Sequence, residues 1–404
     1  MKKLNLYLIL TSVICILSTF ACEKDLVENT STNIEDSNEN SQGSLLSSRA
    51  AYSLDLVKLA TGIENRYKGR VSGFGYMIFH DGQPFYLNNG GLGYLRGIND
   101  APFVEHSSMQ RQTIASTTKL PTALLIAKLL EKNGKYMNAK IYPYLPSNWI
   151  PHPDFKKITF KQLLAHEAGL IKYGNKYAHM KRTVEKGIDL SRFGKRDYDN
   201  INYFLPHYMV AYMIGKWEDP TLLANLKNAE SDTAKLKNLV AATFLQAMRT
   251  NVFKPAGLQQ WHTMQFAPWN NNGLIDTTKA CKFYNTLDPN AKGSDPRNGN
   301  YTSGPGGLYT SATEYGQIMR AAARGDIVSK STYNVMKIER LGFDSYGNWK
   351  RGQYAAKNGW STDRFEELAL DFGDTQIYML SNCDLSNLRG DTNFMVGLMN
   401  SCTK

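Results

Sequence analysis

Between Leu120 and Leu130 the chain offers no polar face. Leu120, Leu124, Leu125, Ile126, Leu129 and Leu130 cover nearly all sides of a helix, and a helix that is apolar all round has to lie inside a domain. Whatever this chain folds into must therefore be large enough to wrap a central helix. The residues leading into it read RQTIASTTK (111–119). Pro121 falls in the first turn, where a missing N–H costs little. If the helix begins near Ser116, then Ser116 and Lys119 lie three apart on one face, with Cβ atoms about 5–6 Å from each other. A lysine at the head of a buried helix loses hydration, which lowers an amine pKa. A partly neutral amine takes a proton from a serine hydroxyl and makes it a nucleophile. S-x-x-K alone is a short pattern that recurs by chance, so its weight depends on the rest of the chain.

Residues 52–68 show helical periodicity in Leu54, Leu56, Val57, Leu59 and Ile63. Next, GFGYMIFHDGQPFYLNNGGLGY reads as a hairpin turning at Asp81-Gly82. The middle, about 116–290, is helix-rich, with loops around His152, Tyr173 and Pro220. Residues 350–382 read as strands again, and an amphipathic helix follows over Asn393–Met399. Strands near both ends with helices between predict an α+β (α/β sandwich) fold: one antiparallel sheet built from both ends of the chain, flanked by helices, with an inserted all-helical subdomain. No internal repeat is visible. His166-Glu167 begins like H-E-x-x-H, but Leu170 stands where the second ligand belongs. No metal or cofactor is expected, and neither a G-x-S-x-G elbow nor a P-loop is present.

The first residues, MKKLNLYLILTSVICILSTFAC, place two lysines before an apolar run that ends in small residues and Cys22. This pattern predicts a secretory signal over 1–21 rather than a membrane span. The ending is similar to the lipobox of bacterial lipoproteins, with Thr19 and Phe20 where Leu and a small residue are usual. Cys22 is then the lipidated residue and the membrane anchor of an exported envelope protein. Cys22-Glu23-Lys24-Asp25 also resembles the acidic export signal of some surface lipoproteins. Residues 22–50 are rich in Ser, Asn and Glu and cannot bury enough apolar surface to fold. They read as a flexible tether reaching roughly 30 Å, leaving 51–404 as the folded domain. The chain carries a formal charge of +11, although its first 50 residues hold more acids than bases. The folded part is thus basic, which suits anionic envelope polymers or lipid headgroups. No arginine-rich recognition segment argues for nucleic acid. Cys281, Cys383 and Cys402 remain, allowing one disulfide whose pairing is not readable.

Five segments in order then carry a resemblance. RQTIASTTK (111–119) resembles the nucleophile box of the serine β-lactamase and penicillin-binding-protein superfamily, in particular class C β-lactamases and their esterase and D-peptidase relatives. ITFKQLLAHEAGL (158–170) is similar to that family's LL-T-H-T-S-G-L stretch, and Tyr198-Asp199-Asn200 to its Tyr-x-Asn box. Gly306-Gly307-Leu308-Tyr309-Thr310-Ser311 resembles its GGL-x-S-T turn, and Lys357-Asn358-Gly359 its Lys-Thr-Gly box. The resemblance implies roles. Ser116 forms an acyl-enzyme, Lys119 helps to remove its proton, and Tyr198 acts as a base whose pKa is lowered by Lys119 and Lys357. Asn200 orients Lys119 or the substrate amide, and Gly359 lets substrate lie close to its strand. The N–H groups of Ser116 and Trp360 form the oxyanion hole. This chain departs from the pattern at Asp199, at Asn358 in place of Thr, and at bulky Trp360. The last two lie where a β-lactam carboxylate would bind. The expected function is an envelope-anchored serine hydrolase, a D-amino-acid peptidase or a carboxylesterase, acting as a monomer on a small molecule or cell-wall peptide. β-Lactamase activity and a non-catalytic penicillin-binding-like ligand-binding module are the alternatives.

Overall fold

A computed structural model describes residues 53–404, apart from Asn271 and Thr302. The signal, the tether and Cys22 lie outside the described residues. In chain order, α1 (Leu56–Tyr67) leads into β1 (Gly73–His80), β2 (Gln83–Phe85), β3 (Gly91–Arg96), β4 (Val104–Glu105) and β5 (Gln112–Thr113). Helices α2 (Lys119–Lys132), α3 (Phe160–Leu164), α4 (Tyr177–Lys186), α5 (Ile201–Trp217), α6 (Pro220–Ala229) and α7 (Thr233–Met248) follow. The chain then passes through β6 (Tyr309–Thr310), α8 (Ala312–Arg324) and α9 (Lys330–Ile338). It closes with β7 (Ser345–Trp349), β8 (Gly352–Ser361), β9 (Phe365–Asp371), β10 (Thr375–Ser381) and α10 (Thr392–Cys402).

The sheet is built from both ends of the described chain. Its strand order is β4-β3-β1-β10-β9-β8-β7, with β2 on β1 and the pairings antiparallel. The join between the two ends is β1 against β10, with Tyr76 opposite Met379. Asp81 and Gly82 both have positive φ at the β1–β2 turn, as a two-residue hairpin requires. Successive strand residues point to opposite faces. Phe74, Tyr76 and Ile78 therefore pack with Ile63, Met395 and Met399 from α1 and α10. Met77 and Phe79, from the same strand, join the second core with Ile318 and Met319 of α8 and the all-apolar α2. Leu124, Leu125, Leu129 and Ile126 are fully buried there, so α2 is the central helix its composition demands.

The helical stretch is shorter than about 116–290. Beyond Phe253 the chain runs to Leu308 in turns, loops and isolated bridges. The cause is legible in hindsight: WNNNG, LDPNAKGSDPRNGN and SGPGG are dense in residues that favour turns over helix. Cys281, Cys383 and Cys402 are buried and free, so none of the three forms a disulfide.

Candidate active site

Ser116 does not open the α-helix. It opens a 3₁₀ turn, Ser116–Thr118, which hands over to α2 at Lys119. With three residues per turn, positions i and i+3 eclipse one another, so the tighter turn sets Lys119 directly over Ser116. Lys119 Nζ donates to Ser116 Oγ at 2.8 Å and to the Pro305 carbonyl at 2.9 Å. Lys119 is fully buried. That burial, with the Lys357 cation nearby, holds its pKa well below the ordinary lysine value and favours the neutral amine.

Tyr198 approaches from the loop ahead of α5, and its hydroxyl donates to Ser116 Oγ at 2.7 Å. Its ring lies 4.3 Å from the His166 ring, centroid to centroid, and both Lys119 Nζ and Lys357 Nζ stand 5.1 Å from its centre. The expected lowering of its pKa does not follow. Although 45 % of the residue is exposed, burial around the hydroxyl pushes its pKa up; the Ser116 hydrogen bond opposes this, and the charge of Asp344 adds to it. The two cations expected to favour a phenolate are weak ones. Lys119 tends to neutrality, and the Lys357 charge is already satisfied by a carboxylate.

That carboxylate is Asp344, whose Oδ2 accepts from Lys357 Nζ at 2.7 Å and from the Asn358 N–H at 3.1 Å. Its other oxygen takes Arg196 Nη2 at 3.3 Å. Lys357 is no solvated edge charge. It sits on β8 between β7 and β9 and is 1 % exposed. Burial lowers its pKa and Asp344 opposes that.

Gly359 is opposite Glu367 in the β8–β9 register. A side chain on Gly359 would put its Cβ 1.8 Å from Glu367 Oε2 and 3.0 Å from the Ser116 nitrogen. The bare backbone is what lets the nucleophile turn rest on the strand. Glu367 Oε1 in turn accepts from the Ala115 N–H at 3.0 Å, and its Oε2 from the Thr117 hydroxyl at 3.3 Å. The strand before Ser116 is held by the Gly306-Gly307 turn, where the Gly307 N–H donates to Ile114 O at 2.8 Å from a positive φ of 92°. Arg111, one step earlier, forks onto Glu314 of α8 and lies 3.9 Å above the Trp269 ring.

Ser116, Asn200 and Trp360 line one open cavity of about 290 Å³, with Phe204, Pro305 and Phe365 around them. Arg297 and Asp363 join across its rim at 2.7 Å. Asn200 is exposed and does not touch Lys119, whose partners are Ser116 and Pro305. Asp199 is turned away from the nucleophile: Oδ1 accepts from the Ile201 N–H and Oδ2 faces Lys172 at 3.3 Å. Trp360 is 42 % exposed beneath the Arg389 guanidinium, 4.4 Å from its ring. The fold thus brings Ser116, Lys119, Tyr198, Lys357 and Gly359 together. Sequence reasoning missed Asp344, Glu367 and His166 as members of the site. Glu367 left a signal: with Glu366 it stands in a strand run, FEELAL, that is otherwise apolar. Among the described residues no cluster fit to hold a metal ion occurs.

The arrangement suits acyl transfer: a hydroxyl bonded to a desolvated amine and a phenol, beside a backbone amide left bare by Gly359. The family model described as Beta-lactamase matches residues 55–212. No curated protein matches by sequence. Solved structures match over most of the chain. FmtA from Staphylococcus aureus has 18 % identity and a TM-score of 0.60, covering 85 % of this chain and 87 % of its own. D-amino acid amidase from Ochrobactrum anthropi SV3, complexed with L-phenylalanine amide, has 14 % identity and a TM-score of 0.60, covering 86 % and 98 %. The octameric penicillin-binding protein homologue from Pyrococcus abyssi has 17 % identity and a TM-score of 0.58, covering 85 % and 78 %. Over residues 55–212 the chain is thus similar to the Beta-lactamase family, and its two-ended antiparallel sheet has the fold of these solved structures.

Proposed function

We propose that this protein hydrolyses esters or amides of D-amino-acid-like acyl donors through an acyl-enzyme on Ser116, and that its preferred substrates lack a free carboxylate beside the scissile bond. The observation that carries the acyl-transfer reading is the shared hydrogen bonding of Ser116 Oγ by Lys119 and Tyr198. Ser116 attacks the carbonyl carbon while its proton passes to the neutral Lys119 amine. The oxyanion forms against the Ser116 and Trp360 amides. As the carbon–oxygen or carbon–nitrogen bond breaks, the leaving group takes a proton from the Lys119–Tyr198 pair. Water then attacks the ester carbon, returns a proton to that pair and frees Ser116.

The substrate class follows from charge. A substrate carboxylate reaching for Lys357 would have to displace Asp344, and one reaching for Arg297 would have to displace Asp363. Neutral esters and amides meet no such cost, and a D-amino acid amidase shares the fold. The same pairing tells against β-lactams and free D-Ala-D-Ala peptides as best substrates. The signal-like start and Cys22 support export and a lipid anchor, which would place the reaction in the cell envelope.

Incubation with a fluorophosphonate, followed by intact mass and peptide mapping, should give one adduct within IASTTK. A panel of p-nitrophenyl esters, D-amino acid amides, nitrocefin and D-Ala-D-Ala peptides should show turnover of the first two sets above the others. A folded protein that takes no label overturns the hydrolase reading. Preference for the carboxylate-bearing substrates overturns the substrate class.

A further inference from the structure

Among the described residues, Glu367 is the one acid whose carboxylate touches the segment that carries the nucleophile on both sides of Ser116. Its two oxygens take the Ala115 N–H and the Thr117 hydroxyl. The Thr117 hydroxyl lies 3.1 Å from the Tyr378 hydroxyl, and the Thr117 carbonyl accepts from Tyr315 at 2.7 Å. Glu367 is fully buried and lies directly across from Gly359, in the space a side chain there would fill. Oε2 and the Ser116 amide both crowd that one point. The carboxyl group therefore backs onto the place where the oxyanion must form. Its charged or titratable surroundings are Lys119 from α2, Lys357 from β8, Glu366 from its own strand, Tyr378 from β10, Tyr315 from α8, and Asp344 and Tyr198 from the loops. None of the two lysines makes a hydrogen bond to it: Lys119 is spent on Ser116 and Pro305, and Lys357 on Asp344.

We propose that Glu367 is the positioning residue of the nucleophile turn, that it works as an uncharged carboxylic acid, and that its ionisation shuts acyl transfer down on the alkaline side. As an acid it still accepts the Ala115 N–H on Oε1 and keeps the Thr117 hydroxyl against Oε2, with Tyr378 beyond it. As a carboxylate it sets a negative charge behind the oxyanion hole. Like charges this close in a partly screened interior oppose one another by about ten- to a hundred-fold in an equilibrium. The charge would also favour the protonated form of Lys119, the wrong form for a base. Burial raises the Glu367 pKa to about 8, against the pull of its hydrogen bonds, so the acid is the resting form at neutral pH.

This inference rests on the acyl-transfer reading, and one experiment separates the two. The rate of fluorophosphonate labelling of the full-length protein is followed from pH 6 to 10, with mass mapping of the adduct. In the wild type the Ser116 labelling rate should fall at least about tenfold above pH 8. Glu367→Gln keeps one acceptor and one donor but cannot ionise; it should label at a near wild-type rate at pH 7 and lose the alkaline fall. Glu367→Ala removes both contacts and should label slowly at every pH. Absence of any Ser116 adduct defeats the acyl-transfer reading. An adduct with the same alkaline fall in wild type and Glu367→Gln defeats the role of Glu367 alone. Should Glu367→Gln fail to fold, difference infrared spectra of the wild type decide. A protonated carboxyl carbonyl band that disappears near pH 8 supports the proposal, and its absence at pH 7 overturns it.

Discussion

Gly359→Ala is the sharpest test of how this site is held. The added Cβ would lie 1.8 Å from Glu367 Oε2 and 3.0 Å from the Ser116 nitrogen. Ordinary contact between heavy atoms is about 3.5 Å, so the carboxyl group must move by well over an ångström and the nucleophile turn by some tenths. Glu367 has little room to do so, because it is fully buried and bound to Ala115 and Thr117. Overpacking of this kind costs about 1–3 kcal/mol. In a domain of this size that is a fall in Tm of roughly 1–4 °C. The functional cost should be larger in proportion, since a misplacement of about 1 Å is worth about 100-fold in rate. Labelling of Ser116 should therefore slow by about two orders of magnitude in a protein that still folds. A double-mutant cycle with Glu367→Ala locates the cause. Once the carboxyl group is gone, the stability cost of Gly359→Ala should drop below about 1 kcal/mol. If Gly359→Ala labels at the wild-type rate, or if its cost is the same with and without Glu367, the close approach of β8 to the nucleophile turn is not what positions Ser116.

Ser116→Ala should abolish both adduct and hydrolysis, and Lys119→Ala should slow labelling by about two to four orders of magnitude while far-ultraviolet circular dichroism stays unchanged; a label that persists on another serine refutes the assignment. Tyr198→Phe should cost amide turnover at least about 100-fold but p-nitrophenyl esters much less, since p-nitrophenolate leaves without a proton; equal losses on both would show that Tyr198 does not donate to the leaving group. The difference in stability between wild type and Glu367→Gln, read by thermal melts, should fall as pH rises from about 4.5 to about 8. In that window the folded chain keeps a proton that the unfolded chain has released. A difference that is flat across the window refutes a raised pKa. Labelling with a palmitate analogue in cells should mark the wild type and not Cys22→Ser, and equal labelling would reject the lipid anchor.

The architecture was legible where periodicity was strong. The Asp81-Gly82 hairpin, the late strands and the all-apolar helix after Ser116 each carry their own local signature, and the sheet joining β1 to β10 follows from having strands near both ends. The helical limit near 290 was not, because the loop-rich stretch 254–308 mixes isolated apolar residues such as Trp269 and Phe283 with its turn residues. Within the site, Ser116 and Lys119 were readable because three residues of one turn bring them together. Asp344 and Glu367 were not. Each reaches its partner only through strand pairing, Asp344 beside β8 and Glu367 across from Gly359, and no spacing along the chain encodes such a contact. The error over Tyr198 has the same origin. Two lysines near a phenol suggest a phenolate only if the lysines are charged and unpaired, and that is a property of their surroundings rather than of their positions.

The site faces a problem that any pair of buried lysines raises. An unpaired charge in the interior is costly, and two like charges on either side of one ring are worse. The two lysines escape in different ways. Lys119 has only a hydroxyl and a carbonyl for partners, neither able to neutralise an ammonium, and burial draws its pKa well down, toward the neutral amine. Lys357 has Asp344 at 2.7 Å and stays an ion pair. Groups whose surroundings push their pKa values apart take different roles. The neutral amine, in contact with Ser116, is then the base for attack in the proposed mechanism. The ion pair is a fixed dipole that props the Tyr198 ring and leaves no free cation there to attract a carboxylate. Tyr198, with its proton retained, is the donor between them. An uncharged Glu367 completes the same logic beneath Ser116, since an anion there would restore the charge on Lys119. Swapping the partners, with a carboxylate beside Lys119 and none beside Lys357, would turn the base into a spectator and the substrate preference toward acids. On the proposed mechanism, the positions of Asp344 and Glu367 thus decide both which lysine works and which substrates it serves.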